Sequence, residues 1–216
     1  MPRSSPSLDM TPMVDLAFLL VTFFMLTSKF RATEPVVVDP PSSSSSILLP
    51  ENVMLITIDT TGRVFFDLTG KDVRRKMLEA VAAKYKVGLT EQQFQRFSVM
   101  GTFGMPVAEL PAYINADEKK RAIMDTHAAG IPIDSAHCEL ADWIMQGYGA
   151  SERDLGSKGL EGKALKEKRI RYAIKADGQT NYAKVKKVID IFREREIFQF
   201  NLITNLKGSA APLPSK

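Results

Sequence analysis

Between Asp15 and Lys29 the chain carries no charge, and from Leu16 to Leu26 its only polar residue is Thr22. Such a run must be buried in lipid, buried in a protein core or removed as a leader, and its length decides among these. As an α-helix, Pro12 to Ser28 covers about 26 Å, slightly short of a hydrocarbon core of about 30 Å. Adding Leu8 to Thr11 closes the gap. A single-pass transmembrane helix over residues 10–28, after a short tail at 1–9, is therefore expected. A cleaved leader fits poorly, because Asp15 interrupts the apolar region and no A-x-A-like site follows Leu26. A buried helix of a soluble domain is the remaining reading.

An ionisable side chain at membrane depth is costly and marks a functional site by default. On a helix, Asp15, Phe18, Leu19 and Thr22 share one face, and Thr11 lies one turn before Asp15 if the helix already runs there. Alternatively Thr11 caps the helix and Pro12 occupies its first turn, where a missing N–H costs nothing. Asp15 then sits in the first turn, favoured by the helix dipole, as an interfacial carboxylate with no transport role. Residue chemistry alone leaves both readings open.

Residues 29–46 change character. Lys29 and Arg31 are followed by Pro35, Pro40-Pro41 and the serines 42–46, a composition that makes a tether without a packed core. A folded domain is expected over 47–206. Val53 to Asp59 alternates as a strand, Thr60-Thr61-Gly62-Arg63 supplies a turn, and Val64-Phe65-Phe66 returns as its hairpin partner. Thr69-x-x-Asp72 resembles a capping box before a helix with Val73, Met77, Val81 and Tyr85 along one stripe. Later, Arg169 to Lys175 puts Ile170, Tyr172 and Ile174 on one face and Arg169, Arg171 and Lys175 on the other. Asn181 is placed to cap a helix whose apolar face is Tyr182, Val185, Ile189 and Phe192. Phe198, Phe200 and Leu202 form a last alternating strand, and residues 207–216 read as a tail. The expected fold class is a single transmembrane helix plus an α+β domain, a small sheet with helices on one face, carrying a helical insertion.

That insertion is the stretch 87–168, far longer than an ordinary connection of about 4–6 residues. Thr90 can cap a helix through Phe97, and Asp117–His127 and Cys138–Gln146 also read as helical. Phe94, Phe97, Ile123, Leu140, Trp143 and Ile144 suffice for a small core of the insertion's own, or for docking on a partner.

Composition narrows the function classes. The formal net charge is +4, and the basic excess concentrates between Lys163 and Lys187, where Glu167 and Asp177 are the only acids. Such a surface suits anionic lipid, cell-wall polymer, an acidic partner or plain solvent. No helix-turn-helix, zinc-finger spacing or aromatic-basic RNA motif appears, so no nucleic acid is expected. His127, His137, Cys138 and Glu139 match no common zinc spacing, Gly101-x-x-Gly104 lacks the Lys-Ser/Thr of a phosphate loop, and G-x-S-x-G is absent. No cofactor, metal or enzyme activity is expected. The single cysteine permits no intramolecular disulfide.

The stretch Asp9 to Met25 resembles the membrane anchor of the ExbD/TolR family, whose members pair a Thr-Pro dipeptide with an Asp three residues after the Pro. Thr11, Pro12 and Asp15 match that pattern position by position, and Ile170 to Thr204 resembles the family's last strand-helix-strand unit. With the hairpin, the resemblance covers a little more than half of the chain; the insertion is a departure from it.

The resemblance implies a proton-driven motor subunit of the bacterial inner membrane, with a cytoplasmic amino terminus and a periplasmic C-terminal domain. By charge alone, Arg3 and the amino terminus against Lys29 and Arg31 give no clear orientation. It also implies a homodimer whose anchor helices enter a ring of an ExbB/TolQ-like polytopic protein, and a TonB/TolA-like protein that receives the motion. Asp15 would carry the proton, Thr11 and Thr22 would line a polar path or pack the helix, and Pro12 would set the helix entry. The alternative is a membrane-tethered binding or structural module, gripping cell wall or an envelope protein, with no ion-coupling role.

Overall fold

A computed structural model describes residues 11–27, 36, 38–40, 42–43, 52–134, 138–159, 162–203 and 205–206. The chain divides into two compact units, Met1–Thr33 and Glu34–Lys216. In the first, helix α1 spans Thr11–Thr27 and is apolar in sequence except at Asp15 and its three threonines, Thr11, Thr22 and Thr27. The expected tails at 1–9 and 207–216 lie outside the described residues.

The second unit is built on a mixed sheet. β2 (Val53–Ile58) and β3 (Val64–Leu68) form the expected hairpin, with Ile56 opposite Phe66. β2 also pairs in parallel with β4 (Arg171–Ala176), and β4 in parallel with β5 (Phe200–Ile203), giving the order β3-β2-β4-β5. At the outer edge of β3, Phe66 and Phe103 exchange backbone hydrogen bonds of 2.8 and 3.0 Å. A separate two-residue parallel pair joins β1 (Ser42–Ser43) to β6 (Asn205–Leu206).

Alternation sorts the strand residues between two faces. Met54, Ile56, Ile58, Val64, Phe66, Leu68, Ile174 and Ala176 share one face and all belong to the main hydrophobic cluster. The helices pack there: α2 (Lys71–Tyr85), α3 (Glu91–Val99), α6 (Glu139–Ser157) and α8 (Tyr182–Glu194) all contribute to that cluster. The segment 87–168 also holds α4 (Leu110–Asn115), α5 (Glu118–His127) and α7 (Gly162–Lys168).

This segment was expected either to have a small core of its own or to dock on a partner. Instead Phe97, Leu140, Trp143 and Ile144 are buried in the same cluster as the strands. Trp143 stands 4.9 Å from Phe103 edge-on and 6.2 Å from Phe66, so the aromatic centre joins insertion to sheet. Ile123, expected inside, is exposed.

Local capping follows the sequence where the partner is a near neighbour. Thr90 and Gln93 form a capping box at the head of α3, and Asn181 Oδ1 accepts the Ala183 N–H at the head of α8. Thr69 does not cap α2. Its hydroxyl donates to Val53 O and accepts Val53 N–H, tying the end of β3 to the start of β2, and Gly70 takes the cap position. On α8 the buried residues are Val188, Ile191 and Phe192, flanked by Val185 and Ile189, whereas Tyr182 is exposed. Phe198 lies before β5 rather than within it.

α6 runs past Gln146, where the sequence suggested an end, because Gly147 lets it lie close over the sheet. A Cβ there would stand 2.7 Å from the Met54 methyl and 3.3 Å from Met77 Sδ. Gly104 is tighter still, since an added Cβ would overlap the ring of Phe65, itself fully buried. Gly104→Ala is expected to cost about 1–3 kcal/mol by overpacking. Gly149, within α6 and with nothing inside 4 Å of an added Cβ, should gain roughly 0.5–1 kcal/mol on replacement by Ala. Urea unfolding of the two variants against the parent checks both signs.

Candidate functional site

α1 begins at Thr11 at the latest, so Asp15 stands one turn further in than Thr11 and outside the first turn. This places Thr11 in the helix and one turn before Asp15. Pro12 sits near the helix start, where a ring without an N–H is tolerated. Asp15 is exposed and has no hydrogen-bond or ion-pair partner among the described residues. Thr22 spends its hydroxyl on its own helix, donating to Phe18 O at 2.9 Å and Leu19 O at 3.0 Å. Back-bonding of this kind satisfies a hydroxyl without a polar neighbour. Residues from Pro12 to Leu26 are exposed all round the helix. Among the described residues no helix is long and apolar enough to cross a membrane, α1 being 17 residues long.

In the second unit the expected tether is partly docked. Val38 is buried, Asp39 N–H donates to Asp177 Oδ2 at 2.9 Å, and Gly178 N–H donates to Asp39 O at 2.9 Å. The turn after β4 therefore holds the chain that enters the domain. The neighbouring hairpin turn is fastened by Asp59, whose carboxylate accepts from Thr61 Oγ1, from Arg63 N–H and from Arg63 Nε at 2.6 Å. Arg63 Nη1 then reaches the carbonyls of Asp125, Thr126 and Ala128 at the end of α5. The Asp-x-Thr-x-Arg spacing of 59–63 is the sequence signal for this fastening, and turn chemistry alone reads it only as a hairpin.

Burial alone would push Asp59 up, but its bonds to Thr61 and Arg63 outweigh that and hold it below the ordinary carboxylate value. Lys158, with Lys76, holds Asp154 down, and the backbone N–H groups of Asp39 and Gln179 do the same for Asp177. These three stabilise the fold above the unfolded carboxylate pKa, and that stability is lost as pH falls through their lowered values. Asp125 runs the other way. Burial raises it, against the Tyr113 hydroxyl at 2.8 Å and the nearby Arg121 and Arg63. A raised carboxyl favours folding only as pH drops through its folded value. Asp125→Asn should therefore be the more stable protein at neutral pH, with its advantage shrinking on acidification. Urea midpoints across a pH series read this directly.

Among the described residues no group of three or more His, Cys, Asp or Glu side chains could hold a metal ion. His137 lies outside the described residues, and burial raises the Cys138 thiol, which makes it a poorer nucleophile. The chemical interest of the chain therefore rests on α1, where Thr11, Pro12 and Asp15 lie within little more than one turn. The sequence matches the profile of the biopolymer transport protein ExbD/TolR over residues 1–207.

The chain belongs to the ExbD/TolR family.

The match runs through the insertion, so the ExbD/TolR assignment extends beyond the anchor and the last strand-helix-strand unit. It places the protein among biopolymer transport proteins. No curated protein and no solved structure matches the chain.

Proposed function

We propose that this ExbD/TolR protein is the anchor subunit of an inner-membrane motor that uses the proton motive force to drive transport or envelope maintenance. The observation that carries the proposal is Asp15, the one charged side chain on α1 and one without a partner among the described residues. An ionised carboxylate facing hydrocarbon is costly. Insertion of α1, as one of a pair, into a ring of an ExbB/TolQ-like protein supplies polar neighbours that lipid cannot. A 17-residue helix is short for an average bilayer, and a protein ring or modest local thinning absorbs the difference.

In this reading residues 10–28 cross the membrane once and residues 47–206 form the periplasmic domain. Asp15 alternates between protonated and ionised forms. One proton crossing about 150 mV releases roughly 3–4 kcal/mol, enough to bias a two-state movement of the helices. Thr22 serves helix packing, Thr11 borders the path on the Asp15 face, and the sheet domain hands the movement to a TonB/TolA-like protein.

The test is Asp15→Asn in the native host, with membrane levels of the protein measured alongside. The substitution keeps the side chain's size but removes its proton. Loss of an energised envelope function at normal protein level is the expected outcome. Full activity at that level would remove ion coupling and leave a tethered binding or structural module.

A further inference from the structure

We propose that a groove at the head of β5 docks an acidic, extended polypeptide segment that also carries apolar side chains. Two adjoining concavities of about 610 and 510 Å³ share Tyr172, Phe198 and Gln199. One wall is α6, which presents Met145 and Tyr148, and the other is the chain leading from α8 into β5. Phe198 is 73% exposed, Met145 42% and Tyr148 36%. Large apolar side chains left in water side by side mark an interaction surface rather than a solvated one.

The backbone adds a second observation. Glu196 sits at φ 59, in the left-handed region where a glycine would rest without strain. It closes α8, with Glu196 N–H on Arg193 O at 3.0 Å and Ile197 N–H on Phe192 O at 2.9 Å. Phe198 follows two residues after this turn and is exposed. Strain at a binding rim is a common companion of function.

Charge selects the occupant. Lys166, Arg171 and Arg195 line the groove and form no ion pair among the described residues, while Arg169 is held by Glu152 at 3.2 Å. Glu196 is the one acid among the lining residues. A second copy of the chain would bring the same cations, and the chain's last ten residues carry Lys207 and Lys216 with no acid. Cations around a recessed aromatic floor suit a segment that alternates carboxylates with apolar side chains. A bilayer instead presents a flat anionic plane. The inference does not depend on Asp15 carrying a proton, and Met145, Tyr148 and Lys166 come from the insertion.

The experiment is fluorescence anisotropy on the full-length protein in detergent, with a labelled synthetic peptide rich in Glu with Phe at intervals. Its Gln counterpart and vesicles containing anionic lipid serve as competitors. The Glu peptide should bind saturably and more weakly in high salt. Affinity should fall about tenfold for the Gln peptide and for the double variant K166E/R171E. Phe198→Ser should weaken both peptides. Arg195→Gln, at an exposed turn, repeats the charge test in a protein whose thermal melt matches the parent. Equal affinity for the Glu and Gln peptides, or unchanged affinity in the charge variants, overturns the proposal. Binding to vesicles without binding to peptide overturns it in favour of a lipid surface.

Discussion

Excising residues 87–168 and joining the flanks with a short Gly/Ser linker is expected to leave a chain with no cooperative thermal transition. The reason lies in where the aromatic side chains go. Phe97, Phe103, Trp143, Leu140 and Ile144 are essentially inaccessible to water, and they cover Phe66, Met54 and Ile56 on the inner face of the sheet. Truncating one buried Phe or Trp costs about 3–5 kcal/mol. A whole domain is stable by only about 5–15 kcal/mol, so losing several together exceeds what the sheet holds in reserve. α2 would suffer as well, because α6 packs along it and Gly147 comes within reach of Met77. Far-UV circular dichroism of the excised protein through a temperature ramp decides the matter. A sharp transition would mean that the sheet and its two flanking helices fold alone. If there is none, a null phenotype of such a deletion in cells reports misfolding and says nothing about a docking surface.

Arg74→Ala is expected to be the most damaging single charge removal in the sheet domain. The Arg74 guanidinium is buried and donates to Asp67 Oδ1, to Leu68 O at 3.2 Å and to Gly101 O at 2.6 Å. It also lies over the Phe97 ring, 5.4 Å from the centroid. Its removal strands two carbonyls and opens space beside Phe97. Breaking a buried pair from one side costs about 3–5 kcal/mol. The low end applies, because the Asp67 side chain keeps 33% of its surface exposed and can turn to water. Arg74→Met should recover part of the loss by refilling the space, though not the bonds to Gly101 and Leu68. Arg74 Nε has no hydrogen-bond partner among the described residues. Denaturant midpoints of the three proteins should fall in the order parent, Met, Ala. An Ala variant as stable as the parent would show that Asp67 and the Gly101 loop do not need the guanidinium.

Features decided by near neighbours were legible in the sequence. The Gly62 hairpin, the Thr90–Gln93 capping box and the Asn181 cap each depend on atoms a few residues apart. Features decided by distant partners were not. Thr69 looked like a cap because its rival, the Val53 backbone, is sixteen residues away. The helix beginning at Cys138 was read only to Gln146, because the use of Gly147, close approach to Met54, belongs to the folded state. On α8 several apolar faces fit the same period, and the sheet selects the one with Val188 and Ile191. The core of the insertion misled for the same reason: apolar content says that side chains will be buried, not against what. At Asp15 the position on the helix followed from the residues, whereas its chemistry depends on what surrounds α1.

The parallel pairing of β2 with β4 has a further consequence, for the order in which the domain can be made. Val53 lies opposite Arg171, more than half the chain later, and β4 in turn carries β5. The central ladder therefore cannot close until nearly the whole polypeptide is available, and contacts of such long sequence separation form slowly. Until then the β2–β3 hairpin has an unpaired edge and an uncovered apolar face, the features that make a young chain prone to association. During synthesis this domain is completed late and in one step, with its earliest strands waiting for its last.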